Sequence, residues 1–283
     1  MRIDLHAHST HSDGREDVRT IFTSAKEAGV DVLALTDHDS TAGWVEAESV
    51  ARELGMGFVP GIEVTAKEKG KSVHLLAYLP DPNNLALQTT LRNTVVARVE
   101  RLKAITELVA PVWKITWDDV LAQLEVGATM GRPAVADALI AAGHFKTRGE
   151  VFGQVLFDGS DYDVPNELAP GVLEAIDLIR DAGGVPIIAH PLGRSDGNKQ
   201  LPEQHFRAMI EAGLAGFEVY HRDVPEFARE WLLGLANEFD LIVTGSSDYH
   251  GLNGKANRLG ENVTDPRMLE RIEALGFSAV TYP

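Results

Sequence analysis

At 283 residues, with 44% hydrophobic residues and a mean hydropathy of −0.09, the chain has the composition of a globular protein that buries a large core, which excludes extended disorder. Its 26 basic and 42 acidic residues leave a net charge of −16, so neither duplex nucleic acid on a broad basic face nor an anionic membrane is an expected partner. No apolar run approaches the ~20 residues of a membrane span, and the lack of cysteine excludes disulfides, thiolate nucleophiles, zinc fingers and iron–sulfur ligation.

Met1-Arg2-Ile3-Asp4 turns polar too soon for a secretory signal, so a cytoplasmic protein is expected. Strand-like apolar runs follow at Ile3–Leu5, Val32–Leu35, Phe58–Val64, Val73–Leu79, Val185–Ala189, Gly216–Tyr220 and Leu241–Thr244, most of them separated by segments of helical periodicity with glycine stops. This alternation predicts a parallel α/β sheet or barrel. It breaks between residues 85 and 170, a stretch too long for an ordinary connection. A helical insertion is expected there, with helices at Leu85–Val109 ending before Pro111, at Trp117–Gln123 and at Pro133–Ala142. The expected organisation is a barrel from 1–84 and 170–283 with an inserted subdomain, 85–169, over its mouth. Two sequential domains are the alternative.

Ionisable residues gather where the apolar runs end. His6 and His8 are two apart, so strand alternation puts both imidazoles on one face. Asp13 follows in a loop. His38 sits in Asp37-His38-Asp39 just after Val32–Leu35, Glu63 and His74 lie in or beside the next two runs, His190 ends Val185–Ala189, and Asp248 and His250 form a second period-two pair. A lone histidine at a strand end is usually a hydrogen-bonding residue. Burying this many ionisable groups together without a cation costs several kcal/mol per charge, so a metal cluster is the economical reading. His11 matches no ligand role and is expected behind the ligands or at the surface.

The segments His6-Ala7-His8-Ser9-Thr10-His11-Ser12-Asp13-Gly14, Leu35-Thr36-Asp37-His38-Asp39, Pro60-Gly61-Ile62-Glu63, Ala189-His190-Pro191 and Ser247-Asp248-Tyr249-His250 resemble, in order, the motifs of the PHP (polymerase and histidinol phosphatase) metallophosphoesterases. With Gly131-Arg132-Pro133 in the insertion, the chain looks closest to the stand-alone branch that removes the 3′-phosphate of nucleoside 3′,5′-bisphosphates and trims short RNA. Arg15 departs from that pattern, where a small or hydroxyl residue is expected after Asp13-Gly14.

The resemblance implies a distorted (β/α)7 TIM-like barrel and three divalent ions. His6, His8, Glu63 and Asp248 would hold the first, Glu63 with His74 and His190 the second, and Asp13, His38 and His250 the third, with Glu63 bridging. Nitrogen and carboxylate donors suit manganese, zinc or iron. Clustered cations neutralise phosphate oxygens and acidify water, so no side-chain nucleophile is required. Arg132 would clamp a second phosphate bidentately, although an arginine at a helix start also reads as an exposed salt bridge. His221 is the candidate for binding substrate and protonating the leaving oxygen, or else a loop histidine.

The expected enzyme is a metal-dependent phosphatase that yields a 5′-monophosphate such as AMP, with a small nucleotide or short oligonucleotide as substrate and no obligate protein partner. Histidinol-phosphate phosphatase is the alternative within the family. From other classes, a TIM-barrel amidohydrolase would bridge its metals through a lysine at a middle strand end, whereas Glu63 and His74 occupy that region and Lys67, Lys69 and Lys71 sit in a polar turn, and a non-catalytic metal-binding module would show gaps in the ligand set.

Overall fold

The computed structural model describes residues 1–69, 71–124, 131–157, 159–164, 169–192, 201–252 and 254–283. Its strands are β1 (Ile3–Asp4), β2 (Val32–Leu35), β3 (Gly57–Glu68), β4 (Lys71–Tyr78), β5 (Val185–Ile188), β6 (Gly216–Tyr220) and β7 (Ile242–Gly245). The helices are α1 (Val18–Glu27), α2 (Trp44–Leu54), α3 (Leu85–Trp113), α4 (Trp117–Leu121), α5 (Arg132–Ala141), α6 (Arg148–Gln154), α7 (Val172–Asp181), α8 (Glu203–Glu211), α9 (Glu226–Glu238) and α10 (Pro266–Leu275). None of the described helices is long and apolar enough to cross a membrane.

The seven strands lie in one sheet in chain order, and a bridge between Ala7 and Tyr249 links the segments beyond β1 and β7, so the sheet nearly closes into a barrel. The parallel expectation needs correcting: β4 runs antiparallel to both β3 and β5. Only residues 69–70 separate β3 from β4, too few for a parallel crossover, so the polar stretch around Lys69 is the tip of a hairpin.

Alternation along the strands builds two apolar layers. Leu33 and Leu35 of β2 join Ile21, Phe22, Ala47 and Val50 of the flanking helices, while Val32 and Ala34 pack with Ile3, Leu76, Ile187 and with Leu269 and Ile272 of α10. Helix starts follow their capping chemistry. Asp17 accepts the Thr20 N–H at 2.7 Å to open α1.

A third apolar cluster belongs to α3–α6, with Leu102, Ile105, Val109, Val135, Leu139 and Val151 at its centre. The long helix α3, about 43 Å at 1.5 Å per residue, is shared. Its first turns put Leu87 and Leu91 into the barrel layer, and its last turns put Ile105 and Val109 into the helical one. Contrary to expectation α3 continues past Pro111 to Trp113. Proline removes a single N–H here, close to the helix end, where Ile105 and Val109 are anchored and Lys114 closes the last turn through its N–H to Ala110. The chain rejoins the barrel where Lys67 N–H donates to Pro170.

Candidate metal centre

Every expected ligand converges at one end of the barrel. His6 Nε2 and His8 Nε2 stand 2.9 Å apart, and lie 3.2 and 3.0 Å from Glu63 Oε2 and 3.5 and 3.3 Å from Asp248 Oδ1. Glu63 Oε1 meets His74 Nδ1 at 2.9 Å and His190 Nε2 at 3.1 Å, so the two oxygens of one carboxylate face different sets of histidines. His250 Nε2 is 3.2 Å from Asp13 Oδ1, and His38 spans the gap, with Nε2 3.9 Å from Asp13 Oδ2 and Nδ1 3.3 Å from Glu63 Oε2. Among the described residues the donor atoms fall into three groups able to hold an ion: His6, His8, Glu63 and Asp248; His8, Asp13, His38 and His250; and His38, Glu63 and His74. His8 and His38 thus border two groups each, a sharing that the sequence assignment did not contain.

The local chain is built for this. Gly14 closes the first ligand loop, because a Cβ there would lie 2.2 Å from the His8 carbonyl oxygen. Asp37 accepts the Ser9 N–H at 2.7 Å and the Ser12 hydroxyl at 2.6 Å, fixing the loop between His8 and Asp13. His190 and Asp248 both occupy the left-handed region, at φ 30° and 53°, a conformation that the surrounding contacts must impose on side chains of this size.

The donor set fits a cation. His6 Nδ1 donates to Glu218 Oε1 at 2.9 Å, which turns Nε2 toward His8 Nε2 and two carboxylate oxygens; burial opposes protonation of the ring, yet Glu218, Glu63 and Asp248 hold its pKa well above the ordinary imidazole value. Asp13 Oδ1, His38 Nδ1, Asp248 Oδ1 and His250 Nε2 are buried without a hydrogen-bond partner. Carboxylate oxygens and ring nitrogens buried together in this way call for positive charge among them. Burial works against the charged form of Glu63, yet His38, His6 and His74 hold its carboxyl well below the usual range. Burial also opposes protonation of His8, but the neighbouring Asp248 and Glu63 carboxylates draw it up to about 9, as a group does when its neighbours demand a cation. Burial keeps His38, His190 and His250 below the ordinary imidazole value, in the neutral form that ligates metal.

Over the outer histidines lies a cavity of about 560 Å³. Asp13, His38, His74 and His250 line its floor, and residues of α3, α5 and α6 line the opposite side. Arg15, Arg98, Arg101, Arg132, Arg148 and Lys255 border it together with the carboxylates Asp13 and Asp137, a cationic pocket in an acidic chain that favours an anionic ligand. Leu102, Ile105, Leu124, Pro133, Ala134 and Phe152 supply an apolar strip. Arg132, at the start of α5, donates to the Leu156 carbonyl at 3.2 Å and lies 5.9 Å from the Phe152 ring.

Arg15 has a structural partner: it meets Asp137 of α5 at 3.2 Å, and Arg148 of α6 also pairs with that carboxylate. The residue that departs from the family pattern thus ties the first ligand loop to the helical segment. His221 is buried behind Asp248 and does not border the cavity; the Asp223 N–H donates to its Nδ1 at 3.1 Å, so the ring proton sits on Nε2, 3.5 Å from Asp248 Oδ2. His11 is partly exposed beside Glu46.

Sequence reasoning missed Glu218, Lys255 and Arg98. Glu218 orients His6 and accepts the His190 N–H at 2.7 Å. Lys255 pairs with Asp248 at 2.6 Å, and Arg98 with Asp39 at 2.7 Å. The available signal for Glu218 was a single charge inside the apolar run Gly216–Tyr220.

Comparison with known proteins agrees with this geometry. The PHP domain matches residues 4–109. The chain is 31% identical over 269 residues to the phosphoribosyl 1,2-cyclic phosphate 1,2-diphosphodiesterase of Eggerthella lenta, covering 92% of this chain and 98% of that protein. It is 31% identical over 254 residues to the 3′,5′-nucleoside bisphosphate phosphatase of Chromobacterium violaceum, covering 88% and 87%, and 31% identical over 251 residues to a 5′-3′ exoribonuclease of Haemophilus influenzae, covering 88% and 90%. Among solved structures, a Bifidobacterium adolescentis protein described as a candidate metal-dependent phosphoesterase superposes with a TM-score of 0.91 at 41% identity, covering 98% of this chain and 96% of that one. A Chromobacterium violaceum protein described as an amidohydrolase, with bound sulfate and no metal, superposes with a TM-score of 0.84 at 27% identity, covering 100% and 98%. Clustered histidines and carboxylates at a barrel mouth, a cationic cavity above them and these relatives lead to one assignment: the chain belongs to the PHP family of metal-dependent phosphoesterases.

Proposed function

We propose that the protein removes the 3′-phosphate of a nucleoside 3′,5′-bisphosphate to leave a 5′-monophosphate such as AMP, with short RNA as an extended form of the same substrate. The observation that carries this reading is the composition of the cavity: His and Asp residues of the ligand cluster, several arginines and apolar side chains line one space of about 560 Å³. Two of the relatives are named for these substrates.

In this reading His6, His8, Glu63 and Asp248 hold one divalent ion, Glu63, His74 and His190 a second, and Asp13, His38 and His250 a third. Manganese, zinc and iron suit these donors. Such ions neutralise the phosphate oxygens and lower the pKa of water at the centre toward ~7. The side chains do the rest. Arg132 binds the phosphate that does not react, the apolar side chains receive the nucleoside, and His221, buried outside the cavity, positions Asp248 rather than meeting the leaving oxygen. Residues 85–169 act as a subdomain covering the mouth, and the enzyme works in the cytoplasm without an obligate partner.

The test is phosphate release from adenosine 3′,5′-bisphosphate, AMP, histidinol phosphate, a ribosyl 1,2-cyclic phosphate and short RNA by manganese-loaded protein. The bisphosphate is expected to be the best substrate. Faster turnover of histidinol phosphate or of the cyclic ester than of any nucleotide contradicts the assignment.

A further inference from the structure

Lys255 has no part in the reading above, yet the chain goes out of its way to place it. After the Asp248–His250 pair the backbone reverses tightly. Gly254 N–H donates to the Gly251 carbonyl at 3.0 Å, and a Cβ at position 254 would lie 2.2 Å from the His250 carbonyl oxygen, so glycine alone lets the chain double back this closely. Asn257 then donates its amide to the Ser247 and Asp248 carbonyls at 2.6 and 3.3 Å, pinning the returning strand against the same pair. Between these anchors Lys255 Nζ reaches Asp248 Oδ2 at 2.6 Å and joins Asp13, His38 and His250 on the cavity wall.

The two oxygens of Asp248 are thereby divided. Oδ1 faces His6 and His8, while Oδ2 is held by Lys255. An ammonium carries three N–H donors, and among the described residues Asp248 is its only hydrogen-bond partner. The remaining donors belong to a group that borders the cavity beside the ligand cluster. An anion touching Nζ stands beside Asp248, a member of that cluster.

We propose that Lys255 binds a non-bridging oxygen of the phosphoryl group undergoing transfer. The proposal rests on the phosphatase reading. It assigns the reacting phosphate to Lys255 and the spectator phosphate to Arg132.

The test compares metal-loaded wild type with Lys255→Met and Lys255→Gln by elemental analysis, by calorimetric titration with inorganic phosphate, and by kcat and KM on one- and two-phosphate esters. Melting curves confirm that each variant is folded, and Gln keeps a donor should Met perturb the turn. Expected are wild-type metal content, phosphate affinity weakened about tenfold to a hundredfold, and kcat/KM lowered at least as much on both ester classes. Lys255→Arg should recover part of the phosphate affinity. Unchanged phosphate affinity at full metal content overturns the proposal. So does loss of metal with unaltered phosphate affinity at the sites still loaded, because Lys255 would then serve Asp248 alone. If wild type hydrolyses no nucleotide, the substrate reading fails, and the phosphate titration still decides the role of Lys255.

Discussion

Glu218 holds His6 from behind: its Oε1 accepts the His6 Nδ1–H at 2.9 Å and so presents Nε2 to the ligand cluster. The same carboxylate accepts the backbone N–H of His190 through Oε2 at 2.7 Å and the hydroxyl of Ser246 through Oε1. One side chain in β6 thus sets the orientation of a ligand after β1 and of the backbone after β5. Burial disfavours its charge, but His6, His221 and His190 hold the carboxyl down at about 2, so it remains an acceptor.

Replacing that carboxylate should therefore loosen metal without removing a ligand. For Glu218→Gln, titration against a competing chelator is expected to show metal affinity reduced by about 10- to 100-fold, with the fold intact. Wild-type affinity would mean that His6 is oriented by its strand alone.

His221 lies behind Asp248 and outside the cavity, with its proton on Nε2, 3.5 Å from Asp248 Oδ2, which suits a residue that positions this ligand. His221→Gln is expected to lower kcat by a similar factor, about 10- to 100-fold, on a nucleotide and on a nitrophenyl phosphate. A loss confined to the nucleotide, whose leaving group needs a proton, would instead make His221 a donor to the leaving oxygen.

Arg132→Ala should weaken binding of two-phosphate substrates by about 1.5–3 kcal/mol in KM while a one-phosphate ester is turned over almost as before. An equal loss on both moves Arg132 to the reacting phosphate. No loss on either assigns it to the Leu156 carbonyl and the Phe152 ring, its contacts in the fold.

What was legible in the sequence follows physical locality. His6 with His8 and Asp248 with His250 were readable because a period of two has only one meaning in extended chain, and all seven strands were found because each holds a short, mostly apolar run. The antiparallel course of β4 was missed although Lys67, Lys69 and Lys71 read as a polar turn, because the alternation of strands and helices elsewhere carried the parallel expectation over a connection too short for a crossover. Also missed was the helix through Pro111, which the packing of Val109 overrides. Glu218 stands in the run Gly216–Tyr220 with nothing local to mark its role, because its partner His6 is 212 residues away in sequence. Arg15 became intelligible only through Asp137, 122 residues on.

The helical segment has its own apolar cluster, so a cavity cut there should be felt locally. Ile105→Ala is expected to cost about 2–5 kcal/mol and to open residues 85–169 to protease and hydrogen exchange, while the barrel keeps its metal. Metal loss in step with that opening would show that the segment is not separable from the barrel.

The central claim is that the strand-end residues form one metal cluster joined by Glu63, whose two oxygens face His8 and His74. Elemental analysis of two variants beside wild type tests it most directly. Wild type should carry about three ions per chain, His250→Ala about two with most turnover gone, and Glu63→Gln about one, because removing a bridging charge weakens both neighbouring sites. Wild-type metal content and activity in Glu63→Gln would contradict the bridge, and with it the single cluster.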